Sequence, residues 1–346
     1  MVTSAPTTTA RVLNTGLGQR IMSATEAAAL IRSGDQVGMS GFTGSGYPKA
    51  VPIELARRIA EANLRGQKFQ VSVFTGASTG PELDGALAMA GGIHLRLPYQ
   101  SDPETRKRIN AGEMDYMDIH LSHVAQFVEY GFLGKLDVAL IEVAAVLEDG
   151  RLLPSSSIGN NKTWIDQAER VILEVNSWQP AALEGMHDIY YGLQPPPNRG
   201  PIPLVTPGQR IGSPYLEVPS EKVVAIVLTD APDRNSAFKA PDQASRPIAG
   251  HILEFLSWEV QKGRMPANLL PLQSGVGNIA NAVLFGLEKG KFEGLTSYTE
   301  VIQDGMIRLL KSGKLTCASA TAFSLSPFEY VRQRVHISGA PTGNHF

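Results

Sequence analysis

A chain of 346 residues with 43% apolar and 18% charged side chains can bury a sizeable core, has the length of two domains and is too apolar to stay disordered. A formal charge of -2, with no Lys/Arg cluster interleaved with aromatics, excludes a basic nucleic-acid surface, so an anionic ligand must be held locally by backbone amides or a few placed cations. The single cysteine, Cys317, excludes an internal disulfide, and no apolar run is long enough to span a bilayer, which makes the cytoplasm the expected compartment.

The first stretch, MVTSAPTTTARVLNTG, has no apolar segment of signal-peptide length and reads as a polar tail. DQVGMSGF (35–42) then reads as a strand, TGSGYP as a glycine loop, and KAVPIELARRIAEAN as a helix. KFQVSVFTG, ASTG and PELDGALAMA repeat that order. Further buried strands are expected at KLDVALIEVAAV, RVILEVN and VVAIVLTD, whose short apolar runs lack polar alternation. Together these predict an α/β architecture, a parallel or mixed sheet covered by helices on both faces.

The proline-dense YGLQPPPNRGPIPLVTPG (191–208) cannot sustain regular structure and is expected to run extended over the surface. TDAPDRNSAFKAPDQASRP (229–247) is the expected junction, with a helix starting near Ile248. This divides the chain into domains 1–230 and 231–346. The second domain repeats the scheme: NLLPLQ as a strand, SGVGN as a loop, IANAVLFGLEKG as a helix. Ser40-Gly41-Phe42-Thr43-Gly44 and Ser274-Gly275-Val276-Gly277-Asn278 echo one another across the halves.

SGVGNIAN (274–281) presents backbone N–H groups at a helix start, where missing intrahelical partners and the macrodipole favour negative charge. It lacks the third glycine of a dinucleotide fingerprint and the Lys-Ser/Thr of a P-loop, so an anion site and a plain tight turn are equally good readings. GFTGSGYPK (41–49) is similarly balanced, with Lys49 as an anion partner in the functional reading. GASTG (76–80) has the G-x-S-x-G spacing of a nucleophile elbow, making Ser78 a candidate acyl-transfer nucleophile with His187 or His251 as base; Pro81 stands where the elbow's helix should already be under way. His120 and His123 have no carboxylate or third histidine at ligand spacing, so no metal is expected there. Ser297-Tyr298-Thr299-Glu300 has the spacing of a capping box, and on spacing alone Glu300 reads as the cap of a helix running through Leu310.

Taken together, SGVGNIANAV, LTSYTEVIQDGM, SATAFSLSP, GFTGSGYPKAVP, FTGASTGPELDG, SSSIGNNKTW and APDRNSAF make the chain, from about residue 15 to residue 327, resemble the acetyl-CoA hydrolase/transferase family. Within it, the likeness is to the succinyl-CoA:acetate CoA-transferase branch of the class I CoA-transferases. The resemblance implies two CoA-transferase-type lobes. It implies that Glu300 is the catalytic glutamate, acylated by an acyl-CoA and then carrying CoA as a glutamyl thioester. It implies that Gly275, Val276, Gly277, Asn278 and Ile279 form the CoA-binding loop, with the Val276 N–H donating to the thioester oxygen, and that Arg234 lies on the carboxylate side. Coenzyme A enters as substrate rather than cofactor, a small carboxylate such as acetate is the acceptor, and a homodimer is implied. Members continue past SLSP, so the second lobe is expected to be incomplete in a chain that closes with FEYVRQRVHISGAPTGNHF. Acyl-CoA hydrolysis and a CoA-binding chain without turnover are the alternatives.

Overall fold

The computed structural model describes residues 11–191, 197, 199–235 and 241–326. They divide into two compact units, the first made of Met1–Gly200 with Gly212–Arg234, the second of Pro201–Ile211 with Asn235–Phe346.

The first unit is built on strands β1 (Gln36–Met39), β2 (Val71–Phe74), β3 (Ile93–Leu97), β4 (Asp115–Tyr116), β5 (Val138–Val146), β6 (Leu152–Pro154), β7 (Arg170–Asn176) and β8 (Val223–Thr229). Their order is β4-β3-β2-β1-β5-β7-β8, with β6 paired to β5. Every pair along that path is parallel and only β5–β6 is antiparallel. The helices are α1 (Thr15–Gly18), α2 (Ala24–Ala29), α3 (Ala50–Leu64), α4 (Ala86–Met89), α5 (Pro103–Asn110), α6 (Leu121–Glu129) and α7 (Asn161–Gln167).

The apolar runs explain this arrangement. All nine residues of β5 are buried, and its neighbours in sequence alternate between faces: Val138 and Leu140 pack with Leu55 and Ile59 of α3, whereas Ala139, Ile141 and Val143 pack with Val124 and Val128 of α6 and Trp164 of α7. Helices therefore close both faces of the sheet, as its predominantly parallel pairing requires. Gly38 is needed where β1 passes under α7, because a Cβ there would lie 2.8 Å from the Trp164 ring.

The chain steps outward from β1 to β4 on one side, then returns to place β5 against the other edge of β1. The loop after Met39 thus leaves the sheet at the point where strand order reverses, the usual ligand crevice of open α/β sheets. The polar tail expected at the N-terminus is shorter than predicted. Residues 1–10 lie outside the described residues, but Val12 already bridges to Val146 and the Leu13 N–H donates to the Val146 carbonyl at 2.8 Å.

The second unit contains α8 (Ser245–Gln261), α9 (Asn278–Lys289), β9 (Leu295–Gln303), α10 (Asp304–Lys311) and β10 (Leu315–Ser324). Strands β9 and β10 pair in parallel with α10 as their crossover, and α10 buries Met306, Ile307 and Leu309. Two expectations fail here. The segment 268–273 is not a strand: Leu269 and Leu270 take left-handed φ of 63° and 65°, and Leu272 alone makes a bridge, to Ser297. The helix expected from Ser297 to Leu310 starts only at Asp304, because 295–303 is strand β9. Thr296, Thr299, Val301 and Ile302 in that segment are β-branched, which favours the pleated surface over a helix.

Candidate active site

In the second unit, β9 alternates buried Ser297, Thr299 and Val301 with exposed Tyr298 and Glu300. Glu300 therefore projects from a strand face and caps no helix. Ser297, assigned to the cap by spacing, instead donates from Oγ to the Leu272 carbonyl at 2.9 Å.

The loop Ser274–Gly277 is fastened to that strand on both sides of Glu300. Thr299 Oγ1 accepts from the Ser274 N–H at 3.2 Å and donates to the Ser274 carbonyl at 3.1 Å. Gln303 Nε2 donates to the Gly275 carbonyl at 2.8 Å. Register is continued by Leu272, whose N–H donates to the Thr296 carbonyl at 2.8 Å and whose carbonyl accepts from the Tyr298 N–H at 3.0 Å.

The loop ends at Gly277, the residue before α9, with φ 141°, a conformation that favours glycine. No side chain caps the start of α9, whose first turn carries no acidic residue. Gly275, Val276, Gly277, Asn278 and Ile279 are all exposed, and the Asn278 side chain is held by Asp242 at 3.1 Å. The strand that carries the exposed Glu300 carboxylate is thus tied, through the residues that alternate with it, to a glycine loop that leads into a helix whose start has no side-chain cap among the described residues. A helix start of this kind stabilises negative charge on a bound group.

In the first unit, Arg234 lies at the end of the segment after β8. Its N–H donates to the Gly44 carbonyl at 2.9 Å, and its guanidinium Nε donates to Glu82 Oε1 at 2.7 Å. Glu82 also accepts from the Tyr47 hydroxyl at 2.6 Å. Burial pulls the Glu82 carboxyl upward, but the hydrogen bonds from Tyr47 and Arg234 outweigh it and hold the group below the usual carboxylate range.

Beside Arg234, Asp233 enters a buried polar network. Its carboxylate accepts from the Gly46 N–H at 3.1 Å and pairs with Lys49 at 3.1 Å, while Lys49 also pairs with Glu142 at 2.6 Å. Gln179 Nε2 bridges Glu142 at 2.9 Å and Asp233 at 3.2 Å. Lys49 is only 3% exposed, so the expected anion partner is already committed to two internal carboxylates. Burial would lower its ammonium pKa, but the charges of Glu142 and Asp233 raise it well above the ordinary value. Glu174 completes the cluster by accepting the N–H groups of Lys49, Ala50 and Val51, the first amides of α3. Periodicity alone passes over Glu142 and Glu174; the signal that could have found them is a single acid inside an otherwise apolar strand.

Ser78 is buried and not arranged as a nucleophile. Its Oγ accepts from the Ser101 N–H at 3.0 Å and lies 3.5 Å from Asp84. His187 instead meets the Ser155 carbonyl at 2.9 Å, and His251 lies 3.6 Å from Glu254 on α8. His120 and His123 meet ring edge to face at 5.4 Å, and among the described residues no group of three His, Cys, Asp or Glu side chains is positioned to hold a metal.

The family model for the acetyl-CoA hydrolase/transferase N-terminal domain matches residues 8–228. The chain is 46% identical to succinyl-CoA:acetate CoA-transferase of Clostridium kluyveri over 92% of its length, 39% identical to propanoyl-CoA:succinate CoA transferase of Escherichia coli over 88%, and 39% identical to acetyl-CoA hydrolase of Schizosaccharomyces pombe over 97%. It spans 58%, 62% and 67% of those relatives, respectively. Among solved structures, RipA from Yersinia pestis is similar with a TM-score of 0.66 at 19% identity, covering 91% of this chain and 66% of that one. A 4-hydroxybutyrate CoA-transferase from Porphyromonas gingivalis gives 0.58 at 19%, covering 91% and 65%. At that identity these two neighbours speak for the fold.

Proposed function

Since the chain belongs to the acetyl-CoA hydrolase/transferase family, we propose that it serves a CoA-transferase that moves CoA between an acyl-CoA, succinyl-CoA or acetyl-CoA, and a small carboxylate such as acetate. In this reading residues 1–230 are the N-terminal CoA-transferase domain and 231–346 belong to the C-terminal one. The observation that carries the reading is the tethering of the Glu300-bearing strand, through Thr299 and Gln303 on either side of that residue, to the loop that opens α9.

The Glu300 carboxylate attacks the thioester carbonyl, and the oxyanion that forms is received by the Val276 N–H beside the helix start. Expulsion of the CoA thiolate leaves an acyl-glutamyl anhydride. The thiolate then attacks the glutamyl carbonyl, releasing the first acid and leaving a glutamyl-CoA thioester. An incoming carboxylate attacks that thioester, and the same two steps in reverse give the new acyl-CoA and free Glu300. Anhydride and thioester are both activated acyl groups, so one difficult exchange becomes steps of similar energy. An oxyanion donor of this kind is worth about 3 to 4 kcal/mol in comparable sites. On the carboxylate side, Arg234 pairs with the small acid, its planar guanidinium matching a carboxylate edge.

Hydrolysis uses the same intermediate. Water in place of the acceptor acid converts glutamyl-CoA to Glu300 and free CoA, which connects this reading to the relatives named acetyl-CoA hydrolases. The test is chemical: incubation with acyl-CoA followed by borohydride should reduce Glu300 to the alcohol, read by peptide mass. An acyl group on Ser78, or an unmodified Glu300 in a protein that turns over, would overturn the assignment.

A further inference from the structure

The turn that supplies Glu82 is a π-helical segment, Pro81–Gly85, in which the two acids of PELDG are sent in different directions. Asp84 goes inward, fully buried, where it pairs with Arg96 at 2.9 Å and accepts from the Thr79 N–H at 2.7 Å. Glu82 goes toward Arg234 with a side chain only 15% exposed, whereas the Arg234 side chain is 53% exposed. Single π-turns of this type recur at functional sites, because the wide turn redirects side chains that an α-helix would carry round.

We propose that Glu82 is a positioning residue for the Arg234 guanidinium, holding it in one orientation for a small carboxylate. The proposal rests on the carboxylate-side reading of Arg234 and adds to it. An arginine on an exposed segment samples many rotamers, and a ligand that binds it must freeze them. Here the backbone of Arg234 is fixed by Gly44, the preceding residue is locked into the buried network through Asp233, and Nε is engaged by Glu82. Glu82 is itself braced, since the Tyr47 hydroxyl donates to its other oxygen at 2.6 Å. The hydrogen bond at Nε to Glu82, with the Tyr47 hydroxyl also interacting with the guanidinium, fixes its plane while terminal amino N–H groups face an incoming carboxylate, a planar donor fork that arginine offers and lysine does not. The cost of this device is a nearby negative charge that weakens attraction for anions, so orientation and charge make opposite predictions.

That opposition defines the experiment. Labelling of Arg234 by phenylglyoxal is followed by peptide mass in the 346-residue chain over a range of succinate concentrations, which requires no turnover. Succinate should protect Arg234 in the native chain. Glu82→Leu should raise the half-protecting concentration about 5- to 10-fold. Glu82→Gln, which keeps an acceptor for Nε and removes the charge, should stay within about twofold of native. An unchanged or lower half-protecting concentration in Glu82→Leu would overturn the positioning role while leaving Arg234 as the carboxylate partner. No protection in the native chain would remove both. Should Glu82→Leu fail to fold, Tyr47→Phe decides in its place: loss of the brace should raise the value about two- to threefold, and an unchanged value counts against the proposal.

Discussion

Thr299 and Ser274 are tied by a reciprocal pair of hydrogen bonds, the Thr299 hydroxyl accepting from the Ser274 N–H at 3.2 Å and donating to its carbonyl at 3.1 Å. That side chain is the one that bonds both backbone groups of Ser274, and with Gln303 it ties the strand that carries Glu300 to the loop that opens α9. Thr299→Val keeps the shape and β-branching of the residue but leaves two loop groups without their partner, costing about 1 kcal/mol per lost bond. Transfer should fall about 10-fold in kcat, because a displaced loop misplaces the oxyanion donor. Thr299→Ser should retain near-native activity. Steady-state kinetics on the two variants checks this; equal rates in Thr299→Val and native protein would mean that the loop needs no such tether.

Glu300→Gln is expected to lower CoA exchange by about a thousandfold or more, since the amide cannot form the anhydride. Ser78→Ala should leave exchange within about threefold, its hydroxyl serving the Ser101 N–H rather than substrate. The comparison is made in isotope exchange between labelled acetate and acetyl-CoA. A severe loss in Ser78→Ala alongside an active Glu300→Gln protein would reverse the roles.

The parallel sheet is legible in the sequence because its strands are short, uniformly apolar runs, and β5, β7 and β8 fall inside the segments so identified. The surroundings of Glu300 are not. Ser297 to Glu300 and Ser23 to Glu26 share the same S-x-x-E spacing, yet only Ser23 and Glu26 form a capping box. The residues downstream decide between them: Ala27, Ala28 and Ala29 propagate a helix, whereas Val301 and Ile302 come after Glu300 and continue a strand. Spacing carries the cap, and composition beyond it carries the element. Lys49 misleads for a different reason. Its anion partners, Glu142 and Asp233, are distant in sequence, and only the return of the chain to β5 brings them together.

The Arg96–Asp84 pair lies under the Ser78 loop with both side chains fully buried. Arg96 also donates to Thr75 Oγ1 at 2.8 Å, so the pair links β3, the loop after β2 and the turn that carries Glu82. Removing one partner strands the other as an uncompensated charge, at a cost of about 3 to 5 kcal/mol. Asp84→Ala should therefore lower the denaturation midpoint strongly, whereas Arg96→Met combined with Asp84→Leu should recover much of the loss. Urea unfolding of the three proteins is the measurement. A double variant no more stable than Asp84→Ala would show that the network's hydrogen bonds, and not the stranded charge, set the cost.

The buried cluster at the strand-order reversal gives the first unit its own pH dependence. Burial pushes the Glu142 carboxyl up to about 7, against the opposing charge of Lys49. A carboxyl whose pKa is higher in the folded than in the unfolded state binds more protons when folded, so its contribution to stability is fully present below the unfolded pKa of about 4.3 and declines as pH rises through about 7. Over that window the native protein should lose stability from this group as pH rises. Glu142→Gln offers the same oxygen to Lys49 without a titrating proton, so its stability should fall less between about pH 5 and about pH 8. Urea midpoints at several pH values compare the slopes directly. If the Gln variant loses as much stability as the native protein across this range, Glu142 is ionised throughout and Lys49 and Gln179 hold it as a full anion inside the fold.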